Sequence, residues 1–140
     1  MLTLYKPNNK APVAKLKDSL WLILKKFQNM ADRAQQIVEG VAPDAVDALL
    51  IKGAIALDIR DKEEHDAGHI AGSLNISRGK LEMNVEEKIN DLNTVILCYC
   101  NAFNRGALSA ATLQSMGYKN AKFIAGGLNA YRKLVYRTYS

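Results

Sequence analysis

Cys100 is the residue in this sequence best placed to act as a nucleophile. It follows an apolar, β-prone run, Val95 to Tyr99, and a short polar loop separates it from the helix-forming run Ala107 to Met116. Arg105 stands five positions after the cysteine, near the predicted start of that helix. N–H groups at a helix start carry partial positive charge and bind anions, so this setting favours the thiolate form of Cys100. The spacing therefore predicts an anion-binding loop that contains a reactive cysteine.

The other cysteine, Cys98, lies inside the apolar run and is predicted to be a buried core residue. The two cysteines are poorly placed to bridge each other and no third is present, so we expect no disulfide and a cytoplasmic protein. His65 and His69 complete a nominal set of zinc ligands with Cys98 and Cys100. A one-residue gap between cysteines lies outside the usual ligand spacing, and we expect neither a metal nor an organic cofactor.

The net charge of +5 comes from the N-terminal part of the chain. Residues 1–30 contain six lysines and one acid, whereas residues 31–140 contain 13 basic and 13 acidic side chains. The balanced part shows no basic stripe with interleaved aromatic residues, so nucleic-acid binding is not expected. The longest apolar run near the N-terminus, Leu20 to Leu24, is too short for a signal peptide or a membrane span.

Residues 13–34 carry a helical pattern of apolar side chains. The seam recurs at spacings of three and four and consists of Leu16, Leu20, Ile23, Phe27, Met30 and Ala34. This basic amphipathic helix could pack on its own domain, form a homodimer contact, or lie on an anionic membrane surface. We assign residues 1–36 to an N-terminal helical extension and residues 37–140 to the globular domain.

Short apolar strands alternate with helical segments beyond this extension. The predicted strands are 37–41, 54–58, 73–76, 95–99 and 121–125, and the predicted helices or turns are 44–51, 60–66, 78–83, 106–116 and 128–135. Such alternation is typical of an α/β fold, a parallel sheet with helices on both faces. Ligands bind at the carboxyl ends of the strands in such sheets. Asp58, Arg60, Arg78 and Cys100 fall at those ends and are predicted to lie on one edge.

Six short motifs, taken in this order, resemble a known family. They are Leu57-Asp58-Ile59-Arg60 with Glu64, the segment Gly68 to Ile76, Tyr99-Cys100, Asn104-Arg105, Gly117-Tyr118, and Gly126-Gly127 with Tyr131. Over about residues 37–135 the chain resembles a single-domain rhodanese, a sulfurtransferase. The resemblance implies a rhodanese-like, five-stranded parallel sheet flanked by helices, and a cysteine that carries sulfur as a persulfide. The stretch Ser77 to Glu82 also resembles family members that handle polysulfide.

The resemblance implies that Cys100 takes sulfur from an anionic donor, thiosulfate or polysulfide, and passes it to a thiol or to cyanide. The residues predicted to bind the donor and the persulfide are Asn101, Ala102, Phe103, Asn104, Arg105 and Gly106. Arg78 is predicted to be a second cation at the rim of the site. Asp58 and Arg60 are predicted supporting residues, with Asp58 accepting backbone hydrogen bonds under the loop and Arg60 paired with Glu64.

Three positions depart from the family pattern. Phe103 stands where a glycine is usual, Gly106 where a serine is usual, and Tyr131 where a tryptophan is commoner. If position 103 required a positive φ, phenylalanine would fit poorly. Either the loop differs locally or Phe103 points outward as a lid.

Two other functions are compatible with the same residues. Cysteine phosphatases of related folds have five residues between the cysteine and the arginine, whereas this chain has four between Cys100 and Arg105. The other alternative is a non-catalytic sulfur-carrier or binding module that docks through the N-terminal helix.

Overall fold

The computed structural model describes the backbone of residues 12–139 and the side chains of residues 25–134. The helices are α1 (Pro12–Ile37), α2 (Val46–Ile51), α3 (Lys62–Ala67), α4 (Leu81–Lys88), α5 (Asn104–Ser115) and α6 (Gly127–Tyr139). The strands are β1 (Gly40–Val41), β2 (Ile55–Asp58), β3 (Leu74–Asn75), β4 (Ile96–Tyr99) and β5 (Ala121–Ile124). Two 3₁₀ turns, Pro43–Ala45 and Arg78–Lys80, lead into α2 and α4.

The five strands form one parallel sheet in the order β1-β5-β4-β2-β3. Strand β4 lies at its centre, where Ile96 is in register with Ile55 on one side and Ala121 on the other. Asp58 is in register with both Asn75 and Tyr99, so the ends of β2, β3 and β4 align just before Cys100. The predicted five-stranded parallel sheet with an additional N-terminal helix is confirmed.

Side chains of β4 alternate between two hydrophobic cores, as the period of a strand requires. Ile96 and Cys98 belong to the core covered by α1, α4 and α5. Leu97 and Tyr99 belong to the core on the opposite face, which is covered by α2 and α6. All four side chains are buried, and burial on both faces explains why the strand is a continuous apolar run.

Helix α1 packs against α5 through small side chains. Ala31 and Ala34 are buried, whereas Phe27 and Met30 are exposed. Of the predicted seam residues with described side chains, Ala34 is therefore buried as expected, whereas Phe27 and Met30 are not. Small residues at the contact allow the two helices to approach closely, which places α1 beside the start of α5.

The remaining seam residues, Leu16, Leu20 and Ile23, lie outside the residues whose side chains are described. No helix within residues 12–139 is both long enough and apolar enough to cross a lipid bilayer. The homodimer contact and the membrane-surface contact through residues 13–34 stay predictions.

Several element boundaries differ from the sequence-based expectation. Helix α5 begins at Asn104 and not at Gly106, so the loop after Cys100 is shorter than predicted. Most of the predicted strand 37–41 lies outside β1, because α1 continues to Ile37. Helix α4 extends to Lys88, well beyond the predicted turn at 78–83. In each case the observed boundary differs from the predicted one because a neighbouring helix or strand is longer or shorter than its sequence pattern indicated.

Candidate active site

Cys100 lies directly after β4, at the carboxyl edge of the sheet, and is 3% exposed. Helix α5 begins four residues later, and its first intrahelical bond runs from the N–H of Ala107 to the carbonyl of Phe103 at 3.0 Å. The N–H groups of Asn104, Arg105 and Gly106 precede that bond, and the helix itself offers them no acceptor. These three donors therefore have no intrahelical acceptor, and a helix start of this kind can bind an anion.

The two unusual loop residues fit without strain. Phe103 has a φ of −117°, an ordinary value for a residue with a side chain, and the residue is 44% exposed. Its side chain lines the depression beside Cys100, and its role as a lid stays a prediction. At Gly106 a Cβ would lie 3.3 Å from the carbonyl oxygen of Cys98, so the glycine lets α5 approach β4 closely.

The start of α6 holds the loop from the opposite side. Leu128 donates its N–H to the carbonyl of Cys100 at 2.8 Å, and Asn129 donates to the carbonyl of Asn101 at 3.1 Å. Gly127 has a φ of +58°, and a side chain there would collide with the carbonyl oxygens of Cys100 and Ala102. These two hydrogen bonds fix the position of the loop backbone at Cys100 and Asn101. Gly127 was part of the Gly126-Gly127 motif, but it was not among the predicted site residues.

A buried ion pair supports the loop from below. Asp58 is fully buried, and Arg60, which is 4% exposed, donates from Nε and Nη2 to its two carboxylate oxygens at 2.9 and 2.7 Å. Asp58 also accepts the backbone N–H of Arg60 at 3.0 Å. Burial by itself would raise the pKa of Asp58, but hydrogen bonds from Arg60 and His65 bring this pKa below its usual value.

Arg60 connects this pair to the loop, because its Nη1 donates to Oδ1 of Asn101 at 3.1 Å. The predicted pairing of Arg60 with Glu64 is wrong. The guanidinium folds back onto Asp58, whose carboxylate is buried and needs a bidentate partner. Glu64 instead accepts from Nδ2 of Asn101 at 3.2 Å and from Nη1 of Arg105 at 3.5 Å. The Asn101 side chain is thus held between an arginine and a glutamate.

Arg105 lies at the mouth of the site, with its side chain partly exposed. Its ion pair with Glu64 is long and open to solvent, so the pair stabilises the fold little and leaves the guanidinium able to meet an anion. Burial would raise the pKa of Glu64, but hydrogen bonds from Arg105, from the Asp61 N–H and from Asn101 lower it overall.

A depression of about 590 Å³ opens at Cys100. One wall is the loop itself, residues 100–105, and the other wall is α1. The α1 residues that line it are Phe27, Gln28, Asp32 and Gln35. The residues of this second wall were not among the predicted site residues, although positions 28, 32 and 35 are spaced so that they share one face of a helix.

Arg78 does not line this depression. Its Nη1 donates to Glu82 at 3.2 Å and its Nη2 to the Thr112 hydroxyl at 3.0 Å. It lines a separate depression together with Arg33 and Leu108. The predicted second cation at the rim is therefore wrong, because the 3₁₀ turn Arg78–Lys80 places this side chain beside a later turn of α5.

The other residues of the nominal zinc-ligand set are buried or hydrogen-bonded within the fold. Cys98 is fully buried, and burial raises the pKa of its thiol. Nδ1 of His65 lies 2.9 Å from Asp58, and Nδ1 of His69 lies 2.7 Å from the carbonyl oxygen of His65. Within the part of the chain that the structure describes, no group of three or more histidine, cysteine, aspartate or glutamate side chains is placed to hold a metal ion.

Comparison with known proteins identifies the family. Residues 42–134 match the Rhodanese-like domain. The chain is 30% identical over 92 residues to the thiosulfate sulfurtransferase GlpE of Pseudomonas entomophila, which covers 66% of this chain and 83% of that protein. It therefore belongs to the rhodanese-like family, and the resemblance seen in the sequence motifs is confirmed.

Two solved structures are similar to this chain along most of their lengths. One is a Rhodopseudomonas palustris protein of unknown function described as a "possible tyrosine phosphatase", with 30% identity, a TM-score of 0.71, and coverage of 78% of this chain and 90% of that one. The other is the human single-domain sulfurtransferase TSTD1, with 26% identity, a TM-score of 0.61, and coverage of 69% and 96%. Both share the arrangement of sheet and helices described above.

Proposed function

We propose that this protein is a sulfurtransferase that carries sulfane sulfur as a persulfide on Cys100. The observation that carries this proposal is the position of Cys100 four residues before the start of α5, in a depression that Arg105 also lines. Its relatives include proteins named thiosulfate sulfurtransferase and a human single-domain sulfurtransferase. Family and site geometry thus favour the same chemistry.

The first step transfers sulfur from an anionic donor. The Cys100 thiolate attacks the outer sulfur of thiosulfate, a new S–S bond forms, and the sulfur–sulfur bond of thiosulfate breaks with its electron pair leaving on sulfite. With polysulfide, the leaving group is the shortened polysulfide anion. Arg105 and the loop N–H groups stabilise the donor and then the negatively charged persulfide by preorganised hydrogen bonds.

The second step removes the bound sulfur from Cys100. A thiolate or cyanide attacks the outer sulfur of the persulfide, and the bond to Sγ of Cys100 breaks with its electron pair returning to the cysteine. The loop must hold its shape through both steps because it binds an anion in each of them. The Asp58–Arg60–Asn101 network and the two α6 hydrogen bonds provide that rigidity.

The test is the mass of the full-length protein after incubation with thiosulfate or with polysulfide. We expect an increment of one sulfur atom that cyanide removes, and we expect Cys100→Ser to abolish it. Cys98→Ala is the matched control, because Cys98 is fully buried and should not exchange sulfur. Absence of the increment with both donors, in a folded protein with reduced Cys100, would overturn the proposal.

Hydrolysis of phosphate monoesters is the second candidate, because a structural relative is described as a possible tyrosine phosphatase. The short loop argues against it, since four residues between Cys100 and Arg105 form a tighter cradle than the five of cysteine phosphatases. Incubation with p-nitrophenyl phosphate separates the two functions. Turnover that depends on Cys100, without a persulfide, would favour the phosphatase.

A further inference from the structure

The depression at Cys100 is larger than a small inorganic anion requires. Its volume of about 590 Å³ falls within the range of roughly 300–1,000 Å³ that is usual for pockets that hold organic ligands. Residues 100–105 line one side of the depression, and α1 lines the other. This second wall has a defined composition: Phe27, Gln28, Asp32 and Gln35.

Asp32 is connected to α5 through Gln28 on this wall. Gln28 donates from Nε2 to Oδ1 of Asp32 at 2.9 Å. The same glutamine exchanges two hydrogen bonds with Asn104, the first residue of α5, at 3.2 and 3.5 Å. The second carboxylate oxygen, Oδ2, accepts no hydrogen bond from any of the described residues. Asp32 therefore presents an open acceptor beside the catalytic loop.

The charged side chains that line the depression are not all cationic. Among its described lining residues, Asp32 and Arg105 carry charge. Arg105 forms an ion pair with Glu64, whereas Asp32 is hydrogen-bonded to the neutral Gln28. Among the described α1 residues that line the depression, Asp32 carries the charge, and at this point of the wall it favours a cation over an anion. Phe27 and Phe103 add apolar surface that a short carbon chain can contact.

We propose that the α1 wall is an acceptor subsite that selects thiols carrying an ammonium group, with Asp32 as its specificity-determining residue. This inference rests on the proposed sulfurtransferase function and concerns its second step. The acceptor thiolate attacks the outer persulfide sulfur, the Sγ–S bond of Cys100 breaks, and Cys100 leaves as a thiolate. The ammonium group meanwhile lies against Asp32 and is not changed by the reaction.

The experiment compares three small thiols as acceptors for the preformed persulfide of the full-length protein. After removal of the donor, loss of the persulfide is followed by mass with cysteamine, which is cationic, mercaptoacetate, which is anionic, and 2-mercaptoethanol as a neutral reference. Intrinsic thiol reactivity cancels when each rate is divided by the rate of the same thiol with a variant. The test variant is Asp32→Asn, which keeps the acceptor for Gln28 and removes the charge.

We expect Asp32→Asn to lower the ratio of the cysteamine rate to the mercaptoacetate rate by about two- to fivefold, as for a solvent-exposed charge pair. Asp44→Asn is the matched control, because it removes the same charge from an exposed position that does not line the depression. An unchanged ratio in Asp32→Asn, or an equal change in both variants, would overturn the subsite while the persulfide still forms. Failure of the wild-type protein to form a persulfide would instead overturn the proposed function together with the subsite.

Discussion

The Cys100 loop lies between two supports that differ in burial and in chemistry. The support under the loop is a buried ion pair, Asp58–Arg60, together with the backbone N–H groups at the start of α6. The α1 wall is an exposed set of polar side chains joined to α5 through the Gln28–Asn104 hydrogen bonds. Buried charges must be fully paired, and this requirement fixes their geometry. For exposed polar groups, water can replace the hydrogen-bond partner. We therefore expect the buried support to set the shape of the loop and the α1 wall to choose what approaches it.

The largest effect is expected for Arg60→Met, which breaks the buried support. This variant leaves the Asp58 carboxylate buried without its bidentate partner, and breaking a buried pair in this way costs about 3–5 kcal/mol. Urea unfolding should show that loss of stability, and persulfide formation should fall with it. Lys62→Met is the control, because its ion pair with Asp66 is exposed and should change stability very little. Equal stabilities for the two variants would contradict the role given to Arg60.

The same variant has a predicted pH dependence. The pKa of Asp58 is below its usual value of 3.8 in the folded protein, so the unfolded chain binds more protons in acid. The stabilisation is present above that usual pKa and is lost as the pH falls through the lower, folded pKa. The stability difference between wild type and Arg60→Met should therefore shrink in acid, as measured by urea unfolding at neutral pH and at about pH 3. A difference that grows in acid would show that the sign is wrong.

Gly127→Ala should have the next largest effect, because its added methyl group would displace the loop from the α6 side. A positive φ costs a residue with a side chain about 1–2 kcal/mol, and overpacking adds about 1–3 kcal/mol. Gly53→Ala separates the two effects, since Gly53 also has a positive φ but has open space where its Cβ would lie. We expect both variants to lose stability, and only Gly127→Ala to slow persulfide formation, by about tenfold or more. Equal sulfur loading in both variants would show that α6 does not set the loop geometry.

The smallest effect is expected for Gln28→Ala on the exposed α1 wall. Loss of its hydrogen bonds to Asn104 and Asp32 should lower stability by about 0.5–1 kcal/mol or less, because water replaces them. Persulfide formation should stay near the wild-type rate, whereas the preference among charged thiol acceptors should weaken. If Gln28→Ala slowed persulfide formation as much as Gly127→Ala, the two supports would not differ in their effect on the loop, and the comparison would be wrong.

Strong local patterns made the central part of the fold predictable. The run Val95 to Tyr99 is apolar on both alternating faces, a pattern that a buried central strand requires, and β4 occupies Ile96–Tyr99. The position of Cys100 followed from the end of that run, and Gly106 with the alanine-rich segment after it indicated the helix. The start of α5 at Asn104 was missed because Phe103 and Asn104 resemble loop residues when considered without their packing.

Side-chain partners were much less predictable than the elements that carry them. Arg60 is two residues from Asp58 and four from Glu64, and either carboxylate is within reach of an arginine. Burial under the loop favours Asp58, and burial is a property of the packed chain. Arg78 follows a strand end as predicted, but the 3₁₀ turn and α4 direct it to Thr112, and it does not line the depression at Cys100.

The residues of this chain, taken in order, were enough to identify the family and the parallel sheet and to predict the position of Cys100, because short apolar strands and a cysteine before a helix start are local signals. The surroundings of Cys100 depended on packing between distant segments. Gln28 and Asn104 are 76 positions apart, and they meet because Ala31 and Ala34 let α1 settle against α5. No spacing along the chain encodes that contact, since it arises from the shape of two buried helix faces.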